Sequence, residues 1–253
     1  YQWHKKAEVL ACSQHQTLTG IGYDTAKFNL ARWELLRNEM TAFVPDWVIH
    51  CAALTNVDEC EINRDSAQVN NVEATQNVAL ACKSVGAKMV YISTDFVFRG
   101  NQKLGSLYVE DNPLDPINYY GKSKATGEGV VRALLPHDHY LIIRTCIYGR
   151  SVIKGTGLAE WGLKNMLIDQ PIGGWTDVYF TPIWTGDLPD LLWTMLEVDA
   201  RGLYHVTGST FVSKYSFLVM MARTFGYNPA LVRQETVNRA KLLAPRPINA
   251  SLS

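Results

Sequence analysis

Apolar residues fall into short runs of strand length, separated by segments of helical period. AEVLACS (7–13), DWVIHCAA (46–53), KMVYIST (88–94) and HYLIIRT (139–145) are apolar runs that read as strands. ARWELLRNEMTAF (31–43) repeats its apolar positions at helical spacing, and Pro45 marks the boundary before the second strand. Residues 65–86 predict one long helix stopped by Gly86. A polar, proline-containing loop (99–118) precedes a helix over 119–135. Strand–helix–strand repetition with apolar strands predicts an α/β fold, a doubly wound parallel sheet covered on both faces. Ligands of such sheets sit beyond the C-terminal strand ends, here 13–16, 51–58, 93–99 and 145–149.

Beyond residue 146 the pattern weakens. Residues 157–169 and 213–226 predict helices, and GLYHVTG (202–208) predicts a strand. Residues 181–198 predict a short extended piece leading into a helix with Pro189 in its first turn. The end, 242–253, is irregular and proline-containing. No internal repeat is present.

Composition narrows the class. The chain has 253 residues, 47% hydrophobic and 19% charged, which suits a folded domain with a sizeable core. Lys+Arg is 24 and Asp+Glu is 24, so there is no electrostatic case for nucleic acid or an anionic membrane. No apolar run reaches the roughly 18 residues of a membrane span. YQWHKKAEVL lacks a signal-peptide layout. Cys12, Cys51, Cys60, Cys82 and Cys146 are scattered, with no CxxC. They read as reduced thiols of a cytoplasmic protein, with no metal expected.

The stretch INYYGKSKATGE (117–128) carries the first chemistry. Only Tyr120 and Lys124 stand at i and i+4, on one helical face; Tyr119 has Ser123 there, and Lys122 follows Tyr120 by two. A phenol ionises near pH 10, and a nearby ammonium favours the phenolate. Such a pair suits proton exchange at a carbonyl or alcohol oxygen. Taken alone, YxxxK is equally an exposed helix that happens to carry Tyr and Lys. YISTDFVFRG (91–100) adds Ser93, Thr94 and Asp95 just after an apolar strand, where a hydroxyl reaches the same oxygen. The structural alternative there is a helix cap or turn. HCAALTNVDECE (50–61) adds small residues after a strand, either a cofactor shelf or a tight turn.

Together these segments resemble an extended short-chain dehydrogenase/reductase, within it the dTDP-4-dehydrorhamnose reductase branch. The resemblance rests on CAALTNVDECE, VNNVEATQNVALAC, YISTDFVFRG, EDNPLDPINYYGKSKATGE, LIIRTCIYG, YFTPIWTGDL, GLYHVTG and APRPINASLS, in family order over residues 7–253. It implies a Rossmann-like domain over 1–146, with 177–200 packed back onto it. A smaller C-terminal substrate-binding subdomain would comprise 147–176 and 201–253. It implies reduction by NADPH or NADH of the keto group of a nucleotide-linked 4-keto-deoxysugar. Tyr120 would donate the proton, Lys124 would bind the nicotinamide ribose and lower the tyrosine pKa, and Thr94 would polarise the carbonyl. Cys51, Ala52, Ala53 and Thr55 would line the cofactor, with Asn29 and Leu30 near the adenine. Asp95, Phe96, Arg144, Thr145, Ile147 and Tyr148 would border the nicotinamide and substrate. Arg246 would meet the nucleotide diphosphate, unless it is an ordinary surface arginine. The resemblance allows a homodimer.

Departures fall in the substrate pocket. The family's STDYVF is STDFVF here, so Phe96 lacks a hydroxyl, and its RTSWVYG is RTCIYG, so Ile147 replaces a stacking tryptophan. After the strand at 7–13, CSQHQ offers neither an acidic residue for NAD nor an arginine for a 2′-phosphate. Neither GxGxxG nor GxxGxxG occurs, and GIGYD (20–24) does not separate a strand from a helix. The expectation is that the sequence lacks about one βα unit before Tyr1 and a terminal helix after Ser253; a naturally short chain is the other reading. Two alternative functions share the pattern: a non-catalytic regulatory subunit like the β subunit of methionine adenosyltransferase, and a sugar-nucleotide epimerase or dehydratase.

Overall fold

The computed structural model describes residues 3–14, 23–150, 157–239 and 242–253. The strands are β1 (Leu10–Ser13), β2 (Asp24–Lys27), β3 (Trp47–His50), β4 (Lys88–Thr94), β5 (Tyr140–Thr145), β6 (Ile147–Tyr148), β7 (Ile172–Trp175), β8 (Tyr179–Phe180), β9 (Ile183–Trp184), β10 (Gly202–His205), β11 (Val212–Ser213) and β12 (Val232–Glu235). The helices are α1 (Trp33–Phe43), α2 (Val57–Ile62), α3 (Arg64–Ala67), α4 (Ala74–Val85), α5 (Tyr119–Leu134), α6 (Leu158–Met166), α7 (Asp187–Glu197) and α8 (Lys214–Thr224).

The central sheet is parallel, in the order β10-β5-β4-β3. Strand periodicity builds its two cores. Met89 and Tyr91 of β4 and Ile142 of β5 face α1, α4 and α5, packing with Leu36, Met40, Val78 and Val131. Val90, Leu141 and Ile143 face the other way, onto Leu188 and Leu192 of α7. The Rossmann-like doubly wound arrangement is thus present, although β1 and β2 pair with each other in a separate parallel ribbon. A further core, centred on Phe180, Phe217 and Leu218, joins α6 and α8 to β7, β8, β11 and β12.

Two boundaries differ from the sequence reading. The strand at 202–205 pairs with β5, so it belongs to the central sheet and not to the substrate subdomain. The helix read over 65–86 runs without a gap but changes register, as α3, a π-helical turn at Gln68–Glu73, and α4. Gly86 ends α4 in the left-handed conformation (φ 74°), as expected of a glycine stop. Residues 242–253 bridge to Asn101, Tyr108 and Tyr179. Among the described residues no helix is long and apolar enough to cross a membrane. His15 and Gln16 of the CSQHQ segment lie outside the described residues.

Candidate active site

Strand β4 ends at Thr94 because a 3-10 turn (Asp95–Val97) starts there, capped by the Thr94 hydroxyl, which accepts from the Phe96 amide at 3.2 Å. The same hydroxyl donates to Asp95 Oδ1 at 3.0 Å. Helix α5 starts one residue before Tyr120 because Asn118 caps it, its Oδ1 accepting from Gly121 N at 2.8 Å. Glu61 Oε2 accepts from Tyr119 N at 2.9 Å, which satisfies a second free amide of that first turn. Gly121 lets the turn lie directly against the end of β4: a Cβ there would stand 2.2 Å from the Phe96 carbonyl oxygen. This approach sets Tyr120 on the Thr94 side of the strand end, where the Thr94 hydroxyl acts on the phenol. Gly121→Ala should therefore shift Tyr120 off Thr94. The expected loss in kcat/KM is about 100-fold, the cost of a misplacement near 1 Å, with thermal melting checking that the fold survives.

Burial pushes the Tyr120 pKa above the ordinary phenol value, and the Asp95 carboxylate adds to the rise; the Thr94 hydroxyl offsets part of it. The expected lowering of this pKa by Lys124 gives way to a different arrangement. The Lys124 ammonium lies 4.1 Å over the Tyr91 ring, and its charge acts on Cys51 and His50. Lys124 is buried, and that burial draws its own pKa down to about 8, opposed by Cys51 and Glu128. Among the described residues its ammonium has no hydrogen-bond partner, which leaves its donors for a ligand.

This burial has a stability consequence. Between pH 8 and 10.5 the unfolded chain holds a proton on Lys124 that the folded chain has released. Stability from this group therefore rises with pH across that window. Buried thiols pushed up to about 11 and about 12, Cys60 and Cys82, pull the opposite way, so a comparison is required. The unfolding free energy of the wild type relative to Lys124→Met should climb by about 3 kcal/mol from pH 8 to 10.5. Denaturant titration of both proteins checks this.

The loop after β3 forms the neighbouring wall. Cys51, Ala52 and Thr55 are exposed and Ala53 is half-buried, so small side chains leave an open shelf beside Lys124. Asn71, fully buried in the π turn, holds the shelf: its Oδ1 accepts from Leu54 N at 2.7 Å and its Nδ2 donates to Leu54 O at 3.0 Å. The same Nδ2 donates to Ser123 Oγ at 2.9 Å, tying the loop to α5. His50 lies beneath, its Nε2 3.1 Å from Thr75 Oγ1; burial and Lys124 hold its pKa at about 3, so it is neutral. The change of register in the predicted long helix thus has a purpose, since a π turn re-aims a side chain that a regular helix would send elsewhere.

Phe96 and Asp95 lie near Tyr120, and the other expected pocket residues follow along β5 and β6. Phe96 meets its ring edge-on at 5.9 Å between centroids. Asp95 is buried and acts on the Cys146 thiol, whose pKa burial pushes up to about 12. Thr145 is buried at the end of β5 with no partner for its hydroxyl. Ile147 is 45% exposed, and Tyr148 packs edge-on against Phe217.

Others are employed elsewhere. Arg144 is engaged within the protein: its Nε and Nη2 form a two-pronged pair with Glu128 (2.9 and 2.8 Å), and Nη1 donates to Glu110 O. Both partners are buried, and Ser93 donates to the same carboxylate at 2.6 Å. Arg246 is not free for a diphosphate, because it grips Asp58 through Nη1 and Nη2 at 3.1 and 3.0 Å. That pair fastens the 242–253 segment to α2. Asn29 is exposed and accepts from Ala31 N just before α1, and Leu30 packs against the α1/α4 core. Among the described residues no group of three or more His, Cys, Asp or Glu could hold a metal. Sequence reasoning missed Asn71, Asn118 and Lys214, the last of which acts electrostatically on Asp95 and Cys146. A lysine at the first position of a helix, against the helix dipole, was the available signal for Lys214.

Comparison with known proteins follows from this geometry. The family described as RmlD substrate binding domain matches residues 3–253. The spore coat polysaccharide biosynthesis protein SpsK of Bacillus subtilis (strain 168) is 33% identical over 225 residues, covering 89% of this chain and 77% of that protein. A dTDP-4-dehydrorhamnose reductase of Streptomyces griseus is 30% identical over 217 residues, 84% of this chain and 70% of that one. The crystal structure of dTDP-4-dehydrorhamnose reductase from Bacillus anthracis in complex with NADP aligns with a TM-score of 0.83. Its identity is 30%, covering 93% of this chain and 83% of that one.

Proposed function

The chain belongs to the RmlD substrate-binding-domain family, and on that footing we propose that it reduces the keto group of a nucleotide-linked 4-keto-deoxysugar with NADPH or NADH. Relatives named as dTDP-4-dehydrorhamnose reductase and dTDP-4-keto-6-deoxy-D-glucose reductase support this substrate class. The observation that carries the reading is the half-buried Tyr120 phenol near the Thr94 hydroxyl, one helical turn from Lys124.

The residues fit a nicotinamide cofactor at its ribose end. The unpartnered Lys124 ammonium is a ready donor for ribose hydroxyls, and the shelf of Cys51, Ala52, Ala53 and Thr55 is open beside it. The bound cofactor supplies the hydride. Tyr120 supplies the proton: its raised pKa keeps the phenol protonated at neutral pH, and a carbonyl oxygen that gains charge becomes a far stronger base than a phenolate. The proton passes from the phenol oxygen to the substrate oxygen. Thr94 orients that oxygen from the strand side. Phe96 meets the Tyr120 ring and Asp95 is buried behind it, so the polar contacts there act in a medium less polar than water.

The test is incubation of the purified protein with NADPH and a dTDP-4-keto-6-deoxysugar. One cofactor should be consumed per dTDP-6-deoxysugar formed. Tight cofactor binding with no consumption would favour the regulatory reading, and isomerisation of the sugar without net consumption would favour the epimerase reading.

A further inference from the structure

Helix α2 carries Asp58 and Glu61 three residues apart, on one face. Glu61 holds the start of α5 directly, accepting from Tyr119 N at 2.9 Å. Asp58 is engaged with the end of the chain. Its Oδ1 accepts from Ala244 N at 2.9 Å and from Arg246 Nη1 at 3.1 Å, and its Oδ2 accepts from Arg246 Nη2 at 3.0 Å. One carboxylate thus grips the residues on both sides of Pro245. Arg246 Nη1 also donates to Ala244 O at 2.7 Å, which closes the bracket. Pro245 and Pro247 stiffen this strap, since each fixes its own φ and keeps the residue before it out of the helical region. The far side is pinned as well: Asn249 N donates to Gly100 O at 2.8 Å, and a Cβ on Gly100 would overlap Pro247. A first-turn acid is favoured by the helix dipole alone, and that needs no partner from residues 244–246. A part-exposed ion pair in turn adds little stability by itself.

What the bracket fixes is the Pro245 carbonyl. It accepts from Asn118 Nδ2 at 3.0 Å. Asn118 is buried and caps α5, its Oδ1 accepting from Gly121 N at 2.8 Å. An amide side chain has a donor end and an acceptor end. An acceptor at Pro245 selects the donor end there, so the acceptor end faces the helix. Loss of that carbonyl would take a partner from a buried donor and let the amide turn over, setting N–H against N–H at Gly121. Tyr120 lies inside the capped turn, between Asn118 and Gly121.

We propose that Asp58 is a positioning residue for Tyr120: by gripping Ala244 and Arg246 it holds the Pro245 carbonyl that orients the Asn118 cap, and through the cap the phenol. Its effect on rate rests on the reductase reading above; its effect on the helix does not. The experiment compares wild type with Asp58→Ala, Asp58→Asn and Arg246→Met, the last leaving α2 untouched. Amide hydrogen exchange over residues 117–124 should quicken by roughly 5- to 30-fold in Asp58→Ala and Arg246→Met, the worth of a helix N-cap. Asp58→Asn should change less, because it keeps an acceptor for Ala244 N. With NADPH and a dTDP-4-keto-6-deoxysugar, kcat should fall by about 10- to 100-fold in Asp58→Ala, with the KM for NADPH unchanged. Asp58→Ala added to Asn118→Ala should cost scarcely more than Asn118→Ala alone, because both break one path. Unchanged exchange over 117–124 would overturn the proposal. So would exchange that quickens equally in every helix, which would make Asp58 a general stability residue. Arg246→Met that raised the KM for the sugar, with kcat and exchange intact, would also overturn it and give the arginine to the diphosphate. If wild type consumes no NADPH, the reductase reading falls and exchange alone decides: local quickening in both variants sustains the latch, and its absence sinks it.

Discussion

Tyr120→Phe is expected to lower kcat by about 10²- to 10⁴-fold, the usual worth of a positioned proton donor. The substitution removes one O–H and keeps the ring that meets Phe96 at 5.9 Å, so packing survives. NADPH affinity should stay within about twofold, because the proposal gives the ribose contact to Lys124 and the order of such packing-neutral changes is small. Steady-state kinetics and a cofactor titration together check this. The wild-type rate should show no loss from phenol ionisation below pH 10, since burial and Asp95 both hold the Tyr120 proton more tightly than an exposed phenol does. A variant that keeps its rate would remove the phenol from the chemistry.

Arg144→Met is expected to act on stability first. It leaves the Glu128 carboxylate buried with only the Ser93 hydroxyl, at 2.6 Å, to compensate it. Breaking one side of such a pair costs about 3–5 kcal/mol. For a chain of this size that is a fall of about 10 °C in Tm. Replacing both partners, Arg144→Met with Glu128→Leu, should recover much of the loss, because no uncompensated charge remains. Thermal and denaturant unfolding of the single and double variants measure it. If Arg144→Met left stability intact and instead raised KM for the sugar, the guanidinium would belong to the substrate site after all.

The arginine shows where sequence reading stops. HYLIIRT was legible as a strand because its apolar run is strong, and every residue of β5 is indeed buried. Its arginine was read as bordering the substrate only because the family resemblance implied it. The partner, Glu128, lies on α5 four residues beyond Lys124, and only the packing of α5 on the sheet brings the two together. The pair of Arg246 with Asp58 was out of reach for the same reason, as the two are far apart in sequence. Tyr120, Lys124 and Thr94 were legible because local spacing places them: i and i+4 on a helix, and the end of an apolar strand. The π turn at 68–73 was invisible because apolar periodicity reports which face is buried, not whether a carbonyl bonds the fourth or the fifth amide onward.

The measurement that bears most directly on the site is a double-mutant cycle on Thr94 and Tyr120. Thr94→Val, Tyr120→Phe and the double variant would be compared in kcat/KM, with Thr94→Ser as a control that keeps the hydroxyl. If the strand-end hydroxyl and the helix phenol serve one carbonyl oxygen as a unit, the double variant should be scarcely slower than Tyr120→Phe alone, and Thr94→Ser should retain activity. Losses that multiply independently would contradict the account, because two groups that do not share an oxygen have no reason to couple.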